Sequence, residues 1–197
     1  MAAATHANNL TYEEYLALER SSDTRHEFLD GAAWAMAGGT PAHSLVKVNV
    51  TASLREALRS KPCVAYDSDL KIHVVATGLF AYPDASVVCG PLERSTVDTN
   101  AVVNPTLIVE VLSEATADFD RSTKFSHYRR IPSLREVLFV SPESRAIEHY
   151  WRNDDGTWVL RDLFDSEAIA LRSIEVTLGA GELFARLEHA APPAAAS

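Results

Sequence analysis

Hydrophobic residues recur at helical spacing in two early segments, and a hairpin signal lies between them. Residues 10–18 contain Thr11 and, three positions later, Glu14, which is the pattern of a capping box and predicts a helix. Asp30-Gly31 separates two short apolar runs and predicts a hairpin. Residues 43–58 predict a second helix of about four turns, whose buried face would comprise Leu45, Val48, Ala52 and Leu58.

Apolar runs predict strands along the remainder of the chain. They cover residues 63–75, as one strand or two, then 80–88, 106–112 and 137–140, with a hairpin of 147–151 and 158–164. A loop is predicted over 90–104, a helix from 113–118 to 131, where Pro132 ends it, and a short helix over 181–187. This order predicts a mixed α/β or α+β fold with helices flanking a central sheet. Residues 1–188 are expected to form one domain, followed by a disordered Ala/Pro-rich tail over 189–197.

The composition is ordinary for a globular protein and points to the cytoplasm. The chain has 197 residues, of which 47% are hydrophobic and 23% charged, and no apolar run approaches the roughly 20 residues that cross a bilayer. Residues 1–9 lack the basic and apolar regions of a signal peptide. Cys63 and Cys89 are isolated in predicted strands, so we expect buried free thiols rather than a disulfide or a metal site.

The net charge of −9 argues against general electrostatic attraction to nucleic acid. Basic residues are nevertheless concentrated in two segments, residues 44–61 and 118–136. Their concentration indicates either a local basic surface or two solvated helix faces, and charge alone does not choose between these alternatives.

Two carboxylates stand out by their position. Glu110 lies inside the apolar run 106–112, where a charge is costly unless it is paired, protonated or bound to a cation. It therefore forms a structural ion pair with an arginine, faces solvent, or belongs to a functional site. Asp84 follows Pro83 and opens the run 84–88, and turn chemistry alone would explain this pair. Two carboxylates on neighbouring strands repel each other unless a cation lies between them, and such an oxygen-rich site suits Mg²⁺ or Mn²⁺.

Lys124 is the third candidate. Asp120, Lys124 and Tyr128 are four residues apart and line one face of the predicted helix. Either Lys124 forms an ordinary surface pair with Asp120, or the helix packs across the sheet and brings the lysine to the acidic pair. In the second case its ammonium would orient a water molecule and offset charge on a phosphate.

An ordered series of short motifs runs from residue 11 to about residue 150. Its members are Arg25-His26-Glu27-Phe28-Leu29-Asp30-Gly31, His43, Asp69, Pro83-Asp84, Glu110-Val111-Leu112-Ser113, Thr116, Asp120, Lys124, Tyr128 and Ile131-Pro132-Ser133. Taken together, this series resembles the restriction endonuclease family called Uma-two, a branch of the PD-(D/E)XK nuclease superfamily.

The resemblance implies a restriction-endonuclease-like fold with the acidic pair on adjacent strands of a mixed central sheet. It implies that Asp84, Glu110 and the backbone carbonyl of Val111 hold Mg²⁺ or Mn²⁺, and that the reaction is hydrolysis of phosphodiester bonds in DNA. Where the superfamily has a lysine two residues after the glutamate, this chain has Leu112. In Uma-two-like sequences the lysine lies in the following helix, here as Lys124. The resemblance also suggests a homodimer.

Glu27 and His43 are further candidates for the same site. Glu27 would be a metal ligand or support one, and the alternative is a cross-strand pair within the hairpin. His43 would contact a phosphate or act as an acid near neutral pH, and the alternative is a hydrogen bond at the start of its helix.

Two functional hypotheses follow. The first is a Mg²⁺-dependent DNA endonuclease, in which Asp84, Glu110 and Lys124 converge in a cleft bordered by two arginine-bearing helices. The second is a non-catalytic dimeric binding or assembly module that keeps the nuclease fold, which the negative net charge and Leu112 favour. A metal-free hydrolase has little support, because the chain has no nucleophile elbow, glycine-rich phosphate loop or zinc-spaced ligand set.

Overall fold

The computed structural model of the protein describes residues 6–36 and 38–190. Its first elements are β1 (His6–Ala7), α1 (Tyr12–Ser21), β2 (His26–Leu29), β3 (Ala32–Ala35), α2 (Pro41–Ala57), β4 (Cys63–Asp67), β5 (Lys71–Val74), β6 (Leu79–Ala81), β7 (Ala85–Cys89), β8 (Ala101–Val102) and β9 (Leu107–Val111). The later elements are α3 (Ala117–Phe119), a π-helical turn (Asp120–Lys124), α4 (Phe125–Tyr128), β10 (Glu136–Ser141), β11 (Ala146–Arg152), β12 (Trp158–Phe164), β13 (Ala168–Leu171), a 3₁₀ turn (Arg172–Ile174), β14 (Val176–Gly179), α5 (Ala180–Leu183) and a 3₁₀ helix (Leu187–Ala190). None of the helices in the described residues is long and apolar enough to cross a membrane.

Local interactions form the first helix and hairpin as the sequence predicts. The Glu14 N–H donates to Thr11 Oγ1 at 3.3 Å, and the Thr11 N–H donates to Glu14 Oε2 at 2.7 Å, which confirms the capping box. Asp30 and Gly31 adopt φ values of 49° and 81°, as a two-residue turn between antiparallel strands requires. The turn sets the register of β2 against β3 and thereby the direction in which Glu27 points.

Helix α2 forms where it is predicted but buries a different face. Val46, Val50 and Leu54 lie in the core, whereas Val48 is 60% exposed. The prediction that Val48 faces the core is therefore wrong. Apolar residues occur on more than one side of this helix, so periodicity alone could not select the face that packs on the sheet.

Within the described residues the strands form two mixed six-stranded sheets and a separate hairpin of β13 and β14, rather than one central sheet. The first sheet has the order β1-β3-β2-β6-β5-β8 and the second β12-β11-β10-β9-β7-β4. Parallel pairs β5–β8 and β9–β10 make both sheets mixed, so the mixed α/β class is confirmed. The predicted strand over 80–88 is divided at Pro83, so that β6 joins the first sheet and β7 the second.

The second sheet lies between two hydrophobic layers. One of its faces packs against α2 and the C-terminal elements. The buried residues of this layer include Val46, Val50, Leu54, Val87, Leu107, Val109, Leu171 and Leu183. Its other face packs against the first sheet and α4, through residues that include Ile72, Leu79, Ile108, Tyr128 and Phe139. Helix α1 covers the first sheet through a smaller aromatic cluster of Tyr15, Phe28 and Phe80.

Cys63 and Cys89 form a disulfide, so the prediction of free thiols is wrong. The two cysteines lie directly opposite each other in the antiparallel pair of β4 and β7, with their Cα atoms 4.0 Å apart. Isolated cysteines give no indication from sequence of which strands pair, and the pairing of β4 with β7 is what brings these thiols together. The bond ties the edge strand of the second sheet to β7.

Several predicted boundaries change in the structure. The helix predicted to end at residue 131 consists of α3, the π-helical turn and α4, and the predicted loop over 90–104 contains β8. The predicted helix over 181–187 is reduced to α5, followed by the separate 3₁₀ helix that includes His189 and Ala190. The remaining predicted tail, residues 191–197, lies outside the described residues, as do residues 1–5 of the predicted non-signal N-terminus and residue 37, the last residue of the predicted second hairpin strand.

Candidate active site

Asp84 and Glu110 lie side by side at one end of the second sheet. Strands β7 and β9 pair antiparallel with Ala85 opposite Val109, so the next position along this register sets Asp84 opposite Glu110 on the same face. Both carboxylates are buried, at 8% and 3% exposure. The Val111 N–H donates to Asp84 Oδ2 at 2.8 Å, which fixes the aspartate against the strand that carries Glu110.

Lys124 lies at the centre of three carboxylates. Its Nζ is 2.9 Å from Glu27 Oε1, 3.2 Å from Asp120 Oδ1 and 3.3 Å from Glu110 Oε1. Asp120 and Lys124 are the first and last residues of the π-helical turn, and both are buried. Such turns are rare and occur frequently at functional sites. Of the two alternatives for Lys124, the structure therefore shows the one in which the lysine reaches the acidic pair.

Glu27 enters the site from the first sheet. Its Oε1 accepts a hydrogen bond from the Tyr82 N–H at 3.2 Å, and its Oε2 accepts one from Trp34 Nε1 at 3.0 Å. Trp34 is the residue directly opposite Glu27 on β3. The structure shows the cross-strand pair, which orients the carboxylate that contacts Lys124, and the role of Glu27 at a metal stays a prediction.

His43 and Lys47 approach Asp84 from the first turns of α2. Thr40 caps this helix by accepting a hydrogen bond from the His43 N–H at 3.1 Å. The His43 Nε2 lies 3.4 Å from Asp84 Oδ2, and the Lys47 Nζ lies 3.8 Å from Asp84 Oδ1. His43 therefore contacts Asp84 of the acidic pair and also forms the capping hydrogen bond of α2. The pair lies beside α2 and the segment from α3 to α4, which are the two helices predicted to carry arginines, but the basic side chains next to it are lysines.

Burial dominates the electrostatics of Glu110. Loss of water around the carboxyl raises its pKa to about 8, with further upward contributions from Asp120, Asp84 and Glu27 and a downward one from Lys124. Burial alone would lower the pKa of Lys124, but Glu110, Glu27 and the other nearby groups raise it well above its ordinary value. Tyr128, which is fully buried, donates from its hydroxyl to Glu110 Oε1 at 2.7 Å. The lysine is therefore charged at neutral pH, and burial favours the protonated form of Glu110.

The donor set fits a Mg²⁺ or Mn²⁺ ion. Lys124 and Tyr128 both contact Oε1 of Glu110, and the Val111 N–H contacts Oδ2 of Asp84, so Oε2 and Oδ1 face no hydrogen donor within 3.5 Å in the described residues. Within those residues no group of three or more His, Cys, Asp or Glu side chains is arranged around a metal position. Mg²⁺ commonly binds through one or two carboxylates and keeps several waters, which this pair would allow. The role of the Val111 carbonyl as a ligand stays a prediction.

Sequence reasoning missed two neighbours of the site. Lys47 was visible only as one charge in a basic segment, although it lies four residues after His43 and so shares its helix face. Trp34 gave no signal, because its contact with Glu27 depends on the hairpin register. Leu112, two residues after Glu110, is buried in the core.

Comparisons with known proteins agree with this architecture. The model of the Uma2 family, described as "Putative restriction endonuclease", matches residues 12–179. The "Uncharacterized protein slr1290" of Synechocystis sp. is 37% identical over 175 residues, which cover 89% of this chain and 91% of that protein. The "Uncharacterized protein sll1609" of the same organism is 31% identical over 159 residues, which cover 81% of this chain and 90% of that protein.

A solved structure shares the fold. The crystal structure of "a putative nuclease" from Anabaena variabilis superposes with a TM-score of 0.73 and 16% sequence identity, covering 90% of this chain and 99% of that one. The family model covers most of the chain, and the relatives from Synechocystis are similar over nearly their whole length. This chain therefore belongs to the Uma2 family, whose description is "Putative restriction endonuclease".

Proposed function

We propose that this protein is a metal-dependent endonuclease that hydrolyses phosphodiester bonds in DNA, with Asp84 and Glu110 as the metal ligands. The observation that carries the proposal is the convergence of this acidic pair with Lys124 at one end of the second sheet. Four buried carboxylates, those of Glu27, Asp84, Glu110 and Asp120, surround the position, whose nearest ammonium groups are those of Lys124 and Lys47. This excess of negative charge favours a divalent cation.

The protein's own side chains would supply position and charge. A bound Mg²⁺ or Mn²⁺ ion would lower the pKa of a water molecule and polarise the scissile phosphate. Lys124, held by Glu27 and Asp120, is fixed where its ammonium can orient that water and offset charge on the phosphate oxygens. His43 can donate a proton from Nε2 at the side of Asp84 that faces α2.

A second candidate is a non-catalytic, dimeric binding or assembly module. Lys124 contacts Glu27, Glu110 and Asp120 at once and Lys47 pairs with Asp84, so all four carboxylates already have an ammonium partner without a metal. Buried ion pairs of this kind also occur as purely structural features. The two candidates differ in whether the protein binds a divalent cation and uses it.

Cleavage of supercoiled plasmid DNA tests the first candidate. Purified protein would be assayed with Mg²⁺, with Mn²⁺ and with EDTA, beside Asp84→Asn and Glu110→Gln, with Glu56→Gln on the exposed face of α2 as the matched control. We expect nicking that requires metal, that falls at least about 100-fold in both site variants, and that the control retains. Equal cleavage by the site variants would show that a contaminant or another site is responsible.

A binding measurement separates the two candidates if no cleavage occurs. Thermal unfolding would be followed as Mg²⁺ or Mn²⁺ is added, since a ligand at ten times its Kd stabilises a fold by about 1.4 kcal/mol. Stabilisation that Asp84→Asn and Glu110→Gln both remove would support the metal site. A protein that neither cleaves nor is stabilised by these ions, and that sediments as a dimer, would favour the binding module.

A further inference from the structure

Four arginines gather at the end of the second sheet opposite the acidic pair. Arg129 and Arg130 follow α4, Arg135 precedes β10, and Arg152 ends β11. The Arg152 N–H donates to the carbonyl of Arg135 at 2.8 Å, and the Arg152 guanidinium donates to the carbonyls of Ile131 at 3.3 Å and of Arg129. Backbone and side chain together bring these four residues onto one surface, called the arginine surface below.

The arginine surface has no carboxylate partner among the described residues. Arg25, Arg121 and Arg145 each form an ion pair, but none of the four arginines does so within 4.0 Å. Glu136, which directly follows Arg135, is buried and binds His149 and Ser173, and Asp155 in the turn between β11 and β12 binds Thr157. Arg20, Arg55 and Arg94 also form no ion pair among the described residues, so what distinguishes the four arginines is that they lie together.

Like charges are held together here at an energetic cost. Arg135 and Arg152 are adjacent, and burial followed by the charge of Arg135 lowers the pKa of Arg152. Part of the cluster has a structural explanation, since Arg152 binds helix-end carbonyls and stacks over Trp158 at 5.0 Å, and Arg129 lies over Phe125 at 5.1 Å. Arg130 and Arg135 are exposed and have no such explanation.

The register of the sheet places this surface relative to the acidic pair. Glu136 on β10 pairs with Leu107 on β9, and the Arg135 N–H donates to the carbonyl of Thr106 at 2.9 Å. Glu110 therefore lies four residues further along the same strand, which is about 13 Å at the rise of a β-strand. The segment from the π-helical turn through α4 spans the same interval, because it begins beside Glu110 and ends at Arg129.

We propose that the arginine surface binds the phosphodiester backbone of duplex DNA about four base pairs from the bond that the acidic pair cleaves, since one base pair rises about 3.4 Å. Guanidinium groups bind phosphate oxygens through two parallel hydrogen bonds and remain charged at any physiological pH. The surface offers charge without a groove-reading element, so it positions DNA and does not read its sequence. The proposal rests on the proposed function for its choice of DNA as the partner.

Salt-dependent DNA binding tests this surface without requiring cleavage. A fluorescein-labelled duplex would be titrated in EDTA over a series of NaCl concentrations, and its anisotropy measured with the wild type and with R130A/R135A. The matched control is R55A/R59A, which removes the same charge from exposed positions on and just beyond α2. Because each lost phosphate contact lowers the slope of log K against log salt by about 0.9, we expect a loss of about 1.8 for R130A/R135A and none for the control.

The outcomes separate this proposal from the proposed nuclease. Binding of DNA that depends on Arg130 and Arg135 supports the surface even if plasmid is never cleaved. Equal losses in both double variants, an unchanged slope in R130A/R135A, or no DNA binding by the wild type would each overturn it. Vesicles containing phosphatidylserine, titrated in place of DNA, would also overturn it if they alone bind in an Arg130- and Arg135-dependent manner. Urea unfolding of each variant confirms that a loss of binding is not a loss of fold.

Discussion

The protein buries a lysine among carboxylates in two places, around Lys124 in the candidate site and around Lys71 between α1 and β5. Both lysines are almost inaccessible, with exposures of 7% and 6%. The Lys71 Nζ lies 3.1 Å from Glu19 Oε2 and 3.0 Å from Asp98 Oδ2, which resembles the contacts of Lys124 with its own acidic neighbours. Composition and burial alone would assign both clusters the same role.

The carboxylate of Glu19 is saturated with hydrogen-bond donors. Its Oε1 accepts from the His26 N–H at 2.7 Å and lies 3.2 Å from His26 Nδ1, while its Oε2 accepts from the Tyr82 hydroxyl at 2.5 Å and from Lys71. Burial alone would raise the pKa of Glu19, but the hydrogen bonds from Tyr82 and His26 and the charge of Lys71 lower it. Glu19 is therefore ionised and structural, and has no need of a further cation.

Glu110 is satisfied on one oxygen only. Lys124 and Tyr128 both contact its Oε1. Burial outweighs the charge of Lys124 and raises the pKa of Glu110 to about 8, whereas the net shift of Glu19 is downward. A buried carboxylate with this deficit has a high affinity for a proton or a cation. The comparison shows that counting the donors around each oxygen separates a structural ion pair from a candidate functional one where composition does not.

Replacing one carboxyl group by an amide in each cluster should have opposite effects on stability, and this is the largest effect we expect. Glu19→Gln should lower the free energy of unfolding at pH 7 by about 3 kcal/mol, because Lys71 loses a buried partner. Glu110→Gln should raise it by about 1 to 3 kcal/mol in EDTA, because the amide replaces a carboxyl that folding forces to take up a proton. Urea unfolding measures both, and a loss of stability in both variants would contradict the distinction between the clusters.

The sequence predicts the cluster around Lys124 through Glu110, but it does not predict the cluster around Lys71. Glu110 interrupts an apolar run, so its burial can be predicted from its neighbours in the chain. Glu19 lies near the end of a helix with a polar face, and Lys71 lies at the start of a strand, where charges are ordinarily solvated. Their burial depends on how α1 packs over the first sheet, and no local pattern encodes that arrangement.

Long-range pairing limits the rest of the sequence prediction in the same way. The capping box and the Asp30-Gly31 turn are local, and both are confirmed. The division of the strands into two sheets and the disulfide between Cys63 and Cys89 depend on which distant strands meet, and both were missed. Glu110 could be found because it interrupts an apolar run, and Asp84 through the Pro83-Asp84 motif and the family resemblance, although only the pairing of β7 with β9 brings the two together.

The pH dependence of stability should also differ between the clusters. Glu110 has a pKa of about 8 in the folded protein and an ordinary value of 4.5, so the folded state binds more protons between these values. Its contribution is present in full below pH 4.5 and is lost as the pH rises to about 8, by up to about 1.4 kcal/mol for each pH unit. The pKa of Glu19 is lowered, so its contribution is present above its ordinary value and is lost as the pH falls through the folded pKa.

Urea unfolding in EDTA at a series of pH values measures these slopes. Glu110→Gln should remove the decline of stability toward alkaline pH, while Glu19→Gln should leave that decline in place and remove part of the acid-side loss. A decline toward alkaline pH that persists unchanged in Glu110→Gln would show that another group is responsible and that Glu110 is ionised in the folded protein.

The last prediction concerns the two tyrosines that donate to these carboxylates. Tyr82→Phe removes a donor to the ionised Glu19 and should cost about 1.5 to 3 kcal/mol, since a hydrogen bond to a charged group is stronger than a neutral one. Tyr128→Phe removes a donor to a protonated Glu110 and should cost only about 0.5 to 1.5 kcal/mol at pH 7 in EDTA. Repeating both measurements above pH 8, where Glu110 ionises, should raise the cost of Tyr128→Phe and leave that of Tyr82→Phe unchanged. Equal costs at both pH values would mean that Tyr128 already faces a charged carboxylate at pH 7, and the two clusters would then be electrostatically alike.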